Sequence, residues 1–205
     1  MCAAGLGWQA AARRAQAQDL RPLAAMLARA FHEDPVSEWS CPPARLRPKT
    51  LERFFLARLI QLDALGEVWM AGGGHAAALW AAPGRWRTTP AEDLQLAVSQ
   101  LHPLLIWRLP FVTYGLLGIE RAHPRTPPHW YLAVLGTEPA RQGQGLGSAA
   151  LAPVLERCDE DQIGAYLESS KQRNIAFYER HGFQVTGELR LPRGPLVYAM
   201  WRDPR

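Results

Sequence analysis

The sequence predicts an α/β fold in which a mixed central β-sheet of about six to seven strands is flanked by helices. Short apolar runs typical of strands alternate with stretches whose apolar residues recur at helical spacing. One such run is followed by a glycine-rich loop, a helix and a second run, which is the order of a parallel βαβ unit. The 205 residues, 48% apolar and 20% charged, suffice for one well-packed core. We therefore expect a single domain over residues 1–205.

The elements of the N-terminal half follow from turn residues and apolar periodicity. They are a weak edge strand over 8–15, a helix capped by Asp19 that ends near Asp34, a loop over 37–48, a helix over 51–65 stopped by Gly66, and an antiparallel hairpin of 68–71 with 76–80. A loop over 83–90 and a helix marked by Leu94, Val98, Leu101 and Leu105 follow. Residues 111–119 are compatible with either a helix or a strand, and they can line a substrate pocket. Trp39, Trp86 and Trp107 suit either such a pocket or the core.

The C-terminal third carries the βαβ unit. Its predicted elements are a strand over 131–135, a helix over 145–158, a second strand over 165–168, a short helix over 174–180 ended by Gly182, and a hairpin of 183–191 with 196–201. We expect a right-handed parallel crossover between the two strands of the unit.

Gly143, Gly145 and Gly147 occupy alternate positions in the loop before the predicted helix. Because the first N–H groups of a helix lack partners within it, this loop can hold a phosphate or pyrophosphate through backbone atoms. A dinucleotide fingerprint requires a glycine where this chain has Ser148, and a Walker loop requires a lysine after Gly147. A phosphate-binding loop and an ordinary flexible turn remain as alternatives.

Composition argues against several other classes. The net charge of +4 is spread along the chain without a basic run, so we expect no nucleic-acid partner. The three cysteines at 2, 41 and 158 fit neither a disulfide framework nor a zinc site, and the N-terminus does not look like a secretion signal. The most apolar segment, 102–119, contains an arginine and two prolines, so we expect no membrane span and a cytoplasmic protein.

Two motifs of the C-terminal third resemble those of the GNAT superfamily of acetyl-CoA-dependent N-acetyltransferases. The first is Gln142-x-x-Gly145-x-Gly147 after an apolar strand, and the second is the segment from Asn174 to Phe183. Within the superfamily the chain is most similar to puromycin N-acetyltransferase and its relatives, through 142–149, 167–170, 173–174 and 177–183, and thinly through 28–31 and 67–69. Residues 84–128 show little similarity to those relatives. The resemblance implies a GNAT fold whose parallel βαβ unit forms an acetyl-CoA site.

The resemblance also implies a cofactor site. Strand backbone at Leu135, Gly136 and Thr137 is expected to pair with the pantetheine arm of acetyl-CoA and to supply an N–H for the oxyanion. The loop residues expected to hold the pyrophosphate are Arg141, Gln142, Gly143, Gln144, Gly145, Leu146, Gly147 and Ser148. Asn174 suits either a hydrogen bond to pantetheine or a helix cap.

Two residues are candidates for proton transfer. Tyr178 lies where the resemblance places the acid that protonates the CoA thiolate, with core packing as the alternative. Glu168 ends the second parallel strand, where ligands gather in open α/β sheets, so it can act as the base, with an ion pair to Lys171 or Arg173 as the alternative.

Three further side chains are weaker candidates. His129 and His181 are other possible bases, although His181 suits a helix cap better. Cys158 lies at the wrong end of its helix for an acyl-cysteine route.

The predicted function is therefore N-acetylation of a small-molecule primary amine, puromycin-like or another aminoacyl or antibiotic amine, by direct attack in a ternary complex. Acetylation of a protein amine and non-catalytic sensing of acyl-CoA are the alternatives. The expected assembly is a monomer or a homodimer.

Overall fold

The computed structural model describes residues 11–64, 67–87, 89–99 and 102–205. The described residues contain a seven-stranded mixed sheet of order β1-β2-β3-β4-β5-β7-β6. The strands are β1 (Arg13–Arg14), β2 (Val68–Ala71), β3 (Ala76–Ala81), β4 (His129–Thr137), β5 (Gly164–Ser169), β6 (Gln184–Arg190) and β7 (Leu196–Arg202). The pair β4 and β5 is parallel and every other neighbouring pair is antiparallel. The predicted mixed sheet with its parallel βαβ unit is confirmed.

Helices cover both faces of the sheet. They are α1 (Leu20–Ala30), α2 (Pro35–Ser40), α3 (Arg47–Asp63), α4 (Pro90–Ser99), α5 (Leu109–Ala122), α6 (Leu146–Glu160) and α7 (Ile175–Arg180). Along β3, Ala76, Ala78 and Trp80 pack in the core that contains α6, whereas Ala77 and Leu79 pack in the core that contains α1 and α3. Successive side chains of a strand point to opposite faces of the sheet. Because β3 is buried on both faces, its side chains divide between the two cores.

The two parallel strands separate part of the way along. Pairing of β4 with β5 runs from His129 with Gly164 to Leu132 with Leu167 and stops there, while β4 stays paired with β3 as far as Thr137. The last residues of β4 therefore have no strand neighbour on the β5 side. This gap between the carboxyl ends of two strands is where α/β sheets bind ligands.

Several local predictions need correction. Residues 37–48 are not a loop throughout, because Asp34 caps α2 by accepting hydrogen bonds from the N–H groups of Val36 and Ser37. Asp19 stands at the start of α1 but does not cap it, since its carboxylate binds Arg13 and the N–H of Gln16. Helix α3 begins at Arg47, four residues before the predicted start.

The predicted helix from Leu94 to Leu105 ends at Ser99 as α4, and both Leu94 and Val98 are more than half exposed. The segment 111–119 is helical and belongs to α5. Residues 8–10 of the predicted edge strand, the helix stop at Gly66 and Leu101 lie outside the described residues. None of the described helices combines the length and apolar content needed to cross a bilayer.

Candidate active site

A groove of about 430 Å³ opens at the gap between β4 and β5. Its walls are the end of β4, the glycine loop with the first turn of α6, the first residues after β5, and α7. The predicted residues that line it are Leu135, Gly136, Thr137, Arg141, Gln142, Gly143, Gly145, Leu146, Gly147, Ser148, Asn174 and Tyr178. Gln144 is the exception, because it faces a neighbouring cavity. One groove therefore gathers twelve of the thirteen residues predicted to hold the cofactor.

The glycine loop presents its backbone to this groove. Gly143 and Gly145 have φ angles of +76° and +78°, and a Cβ atom at either would meet no atom within 4 Å. The glycines are thus required by backbone conformation rather than by crowding. Gly145 precedes the first residue of α6, whose first-turn N–H groups have no partners within the helix. The helix dipole adds positive potential at this end, so the loop can bind an anion.

Gly136 has a different role from the loop glycines. A Cβ there would lie 2.5 Å from Leu27 Cδ2, so α1 packs directly on the backbone of β4. Any larger residue would push α1 away from the groove that its end helps to form. Ala30 and Phe31, at the end of α1, line the same groove.

Basic side chains surround the loop. Arg141, Lys171, Arg173 and Arg180 line the groove. Four cations beside unpaired N–H groups fit the phosphates of a nucleotide cofactor such as CoA. Lys171 and Arg173 are therefore not ion-pair partners of Glu168, contrary to the alternative drawn from the sequence; the ion pair that Glu168 forms is with His123.

Tyr178 lies on the wall of the groove and is 7% exposed. Burial raises the pKa of its phenol, and the negative charge of Asp34 raises it further. The phenol therefore keeps its proton at neutral pH and can donate it to an anion formed in the groove. Asn174 also lines the groove, and its side chain makes no capping hydrogen bond to α7.

A second cavity, of about 370 Å³, lies on the other side of Asp34. We call it the acceptor cavity. Aromatic rings form much of its wall, and it contains three carboxylates and two arginines. The residues with these properties are Phe31, Phe54, Phe55, Trp86, Tyr131, Asp34, Glu120, Glu168, Arg58 and Arg87. Helix α5 contributes Leu116 and Ile119, as the sequence suggested for this segment.

Asp34 and Phe31 line both cavities. Asp34 is 5% exposed, and its second carboxylate oxygen accepts a 2.5 Å hydrogen bond from the hydroxyl of Ser170, in the loop after β5. This bond ties the start of α2 to the end of β5 at the place where the two cavities meet. A ligand in the acceptor cavity can therefore reach one in the groove beside a fixed negative charge.

Glu168 faces the acceptor cavity, with its side chain 10% exposed. Its Oε1 atom lies 3.3 Å from Nδ1 of His123, an ion-pair distance without the alignment of a hydrogen bond. Oε1 is accordingly a buried oxygen that accepts no hydrogen bond. A buried carboxylate with unused acceptor capacity can receive a proton from an amine in the cavity.

Other predicted residues lie away from the two cavities. His129 is buried behind His123, and Nδ1 of His181 lies 2.9 Å from the carbonyl of Phe177, consistent with the predicted helix cap. Cys158 is fully buried near the end of α6, where burial raises the pKa of its thiol to about 12. Trp39 packs against Phe111 in the core.

The remaining two tryptophans differ in their surroundings. Trp107 is 71% exposed, whereas Trp86 stacks on the imidazole of His123 with ring centroids 3.9 Å apart. Trp86 is thus the one of the three that lines the acceptor cavity.

Sequence reasoning missed Asp34, His123 and Arg58 as site residues. Asp34 precedes a proline and looks like a helix boundary, and His123 lies within residues 84–128, which show little similarity to the relatives named above. An Asp-Pro pair is a capping signal, so α2 could have been found, but nothing in the sequence places Asp34 beside Tyr178.

Comparison with known proteins agrees with the fold. Residues 76–183 match the family model of the acetyltransferase (GNAT) family. An uncharacterised N-acetyltransferase of Schizosaccharomyces pombe is 28% identical over 204 residues, which cover 89% of this chain and 78% of the relative.

Solved structures have the same fold. A Corynebacterium glutamicum protein described as histone acetyltransferase HPA2 and related acetyltransferase superposes with a TM-score of 0.69 at 24% identity, covering 95% of this chain and 96% of the other. A Drosophila melanogaster polyamine N-acetyltransferase superposes with a TM-score of 0.58 at 15% identity, covering 94% and 98%.

Proposed function

We propose that this chain, which belongs to the acetyltransferase (GNAT) family, transfers an acetyl group from acetyl-CoA to the primary amine of a small molecule. Members of this family acetylate amines. Because the chain belongs to the family, it is an acetyltransferase. The observation that carries the finer proposal is the meeting of a basic groove and an acidic, aromatic cavity at Asp34 and Phe31.

Acetyl-CoA, when bound in the groove, supplies an activated acyl group and a thiolate leaving group. In our proposal the glycine loop and the four cations bind its phosphates, and the free side of β4 at Leu135, Gly136 and Thr137 binds the pantetheine arm. An N–H of this strand stabilises the oxyanion. Asn174 hydrogen-bonds the pantetheine.

Glu168 and Tyr178 carry the proton transfers in this proposal. Glu168 removes a proton from the bound ammonium, because only the neutral amine can attack. Tyr178 gives its proton to the thiolate, and its raised pKa keeps the phenol protonated at neutral pH until the thiolate forms. Direct attack is preferred to an acyl-cysteine route because Cys41 and Cys158, the cysteines among the described residues, are buried with raised thiol pKa values.

The shape and charge of the acceptor cavity favour a small aromatic or apolar amine. A volume of about 370 Å³ admits a molecule of drug-like size, and the rings of Phe54, Phe55 and Trp86 offer stacking surfaces. Asp34 and Glu168 favour a cation near the groove. An aminoacyl compound such as puromycin, with a primary amine beside an aromatic ring, has this chemistry, and its acetylation would confer resistance. A cytoplasmic location, a single domain and a monomeric or homodimeric state belong to the same proposal.

The test is acetyl-CoA binding by calorimetry, followed by thiol release with a panel of amines that includes puromycin, an arylalkylamine, a polyamine and a short peptide. We expect saturable binding and the fastest release with an aromatic small amine. Release with the peptide alone would replace the small-molecule acceptor by a protein amine. Binding without release from any amine would favour an acyl-CoA sensor.

A further inference from the structure

Behind the acceptor cavity, four groups lie in a continuous row. The carbonyl oxygen of Pro127 is 2.8 Å from Nδ1 of His129, and Nε2 of His129 is 3.0 Å from Nε2 of His123. Nδ1 of His123 faces Oε1 of Glu168 at 3.3 Å. Both imidazoles are at most 5% exposed, and the Glu168 side chain is 10% exposed. We call these four groups the proton row.

The proton row has three contacts. The two that join Pro127, His129 and His123 lie at hydrogen-bond distance, and each needs one proton between its two atoms. The third, from Nδ1 of His123 to Oε1 of Glu168, lies at ion-pair distance and is favourable only when one of the two atoms carries a proton. The carbonyl of Pro127 and an ionised Glu168 can only accept hydrogen bonds. Two neutral imidazoles bring one N–H each, which makes two protons for three contacts. Whichever tautomers His123 and His129 adopt, at least one contact then sets two lone pairs against each other. A third proton satisfies all three contacts.

We infer that His123 and Glu168 act as one proton-sharing base, which takes this third proton from the bound amine. His129 is a positioning residue for this pair. The inference rests on the proposed acetyl transfer. Hydrogen bonding from His129 Nδ1 to the Pro127 carbonyl leaves Nε2 of His129 as an acceptor. His123 then donates from Nε2, so its Nδ1 presents a lone pair to Glu168. The pair lacks one proton, and the ammonium in the cavity carries one.

The proton count of the reaction balances on this arrangement. The ammonium gives one proton to the His123 and Glu168 pair and becomes the neutral amine. The C–N bond forms and the C–S bond breaks. The electron pair of the C–S bond goes to sulfur, and Tyr178 protonates the resulting thiolate. The second proton of the nitrogen, released as the amide forms, restores Tyr178. The pair returns its proton to solvent after the product leaves.

The surroundings of His123 hold its ring in place. Trp86 stacks on one side of its ring, and Tyr131 and Tyr166 contact it edge to face with centroids 4.7 and 4.6 Å away. Burial, the Glu168 charge and hydrogen bonding to the Glu168 carboxylate raise the pKa of both tyrosines, so neither titrates near neutral pH. Burial lowers the pKa of His129, which favours its neutral form.

Four further charged residues line the same cavity. They are Asp34, Arg58, Arg87 and Glu120, two acidic and two basic.

The first test needs no substitution. Nuclear magnetic resonance of the protein with ¹⁵N-labelled histidine and ¹³C-labelled glutamate carboxyl counts the protons on His123, His129 and Glu168 as pH is raised from mildly acidic to mildly alkaline. We expect one titration reported by all three residues, in which the total falls from three protons to two. A total of two throughout, or three independent titrations, would overturn the inference.

Two variants sharpen this result. In Glu168→Gln the amide N–H fills the third contact, so the shared titration should disappear from the histidine spectrum while the fold stays. In His129→Phe the imidazole of His123 is free to point an N–H at Glu168, so no third proton is needed. We then expect the acid limb of the kcat/KM profile to move to lower pH, with a loss on the order of tenfold.

Controls separate a positioning role from packing. His102→Asn, in a turn far along the chain from the row, should leave both the spectrum and the pH profile unchanged. Acetyl-CoA binding and the melting temperature establish that each variant folds. An His129→Phe variant that loses rate without a change in its pH profile would reduce His129 to a packing residue and overturn the positioning role.

The two proposals fail separately. If the wild-type protein releases no thiol with any amine, the proposed function fails, whereas the proton count on the row can still be three. If thiol release is amine-dependent and the row holds only two protons at every pH, the proton-sharing base fails alone.

Discussion

The cofactor groove and the acceptor cavity meet at Asp34, yet they are built in different ways. The groove is made largely from one stretch of chain, from the end of β4 through the glycine loop to α7, and much of its surface is backbone. The cavity takes side chains from the residues after α1 and from α2, α3, α4, α5, β4, β5 and β7, which are distant in sequence. Backbone recognition needs a conformation, which short motifs encode, whereas side-chain recognition needs an assembled surface.

This difference predicts two classes of variant. Changes in the acceptor cavity should alter the kinetics of the amine and leave acetyl-CoA binding intact, and changes in the groove should do the reverse. A variant that affects both by similar factors would show that the halves are coupled through the wall they share.

The largest effect is expected from Glu168→Gln. The amide cannot accept the amine proton, so kcat/KM should fall on the order of 1000-fold while the dissociation constant of acetyl-CoA stays within about twofold. Steady-state kinetics with calorimetry measure both quantities. Glu156→Gln, an exposed change on α6, is the matched control. A loss below about tenfold would remove Glu168 as the base.

Tyr178→Phe should come next, with a loss in kcat of about 100-fold, because the ring is kept and only the donor to the thiolate is removed. Thiol release measures the rate, and calorimetry checks that acetyl-CoA still binds. The matched control is Tyr114→Phe, since Tyr114 is 63% exposed on α5. Unchanged turnover would return Tyr178 to a packing role.

Asp34→Asn tests the shared wall. Asparagine can still cap α2, so folding should be preserved, while the lost charge should raise KM for a cationic amine by about tenfold. Melting temperature and KM for a charged and an uncharged acceptor check this. An equal rise in KM for both acceptors would contradict an electrostatic role of Asp34. A similar rise in KM with the exposed change Asp161→Asn would contradict it as well.

The smallest effect is expected from Gly145→Ala. Alanine at a φ of +78° costs about 1 kcal/mol, so acetyl-CoA should bind about fivefold more weakly with KM for the amine unchanged. Gly118→Ala, inside helix α5 with its nearest other side chain 4.0 Å from the new methyl, should leave acetyl-CoA binding unchanged and stabilise the protein slightly. If the two variants bind acetyl-CoA alike, the loop conformation does not decide affinity.

The amount that could be predicted from sequence differs between the halves in the same way. The glycine loop, the parallel strands and the placement of Tyr178 follow from local pattern and family resemblance, and the structure gathers them in one groove. Glu168 was predicted to reach the cleft because it ends a strand, and it does. The alternative, an ion pair to Lys171 or Arg173, is not formed, because both residues follow Glu168 in sequence but line the groove. His123 lies 45 positions before Glu168 and could not be identified by spacing.

By itself, the sequence determined the fold class, the glycine loop and the family, because strand and helix periodicity and the need for glycine at positive φ are local properties of the chain. Only the tertiary structure decided that Asp34 stands between two cavities, that Trp86 lines one of them while Trp107 lies exposed, and that His129, His123 and Glu168 form a row. These contacts join residues far apart in sequence. They exist because packing both faces of the sheet brings α1, α2 and α5 to the edge where β4 and β5 separate.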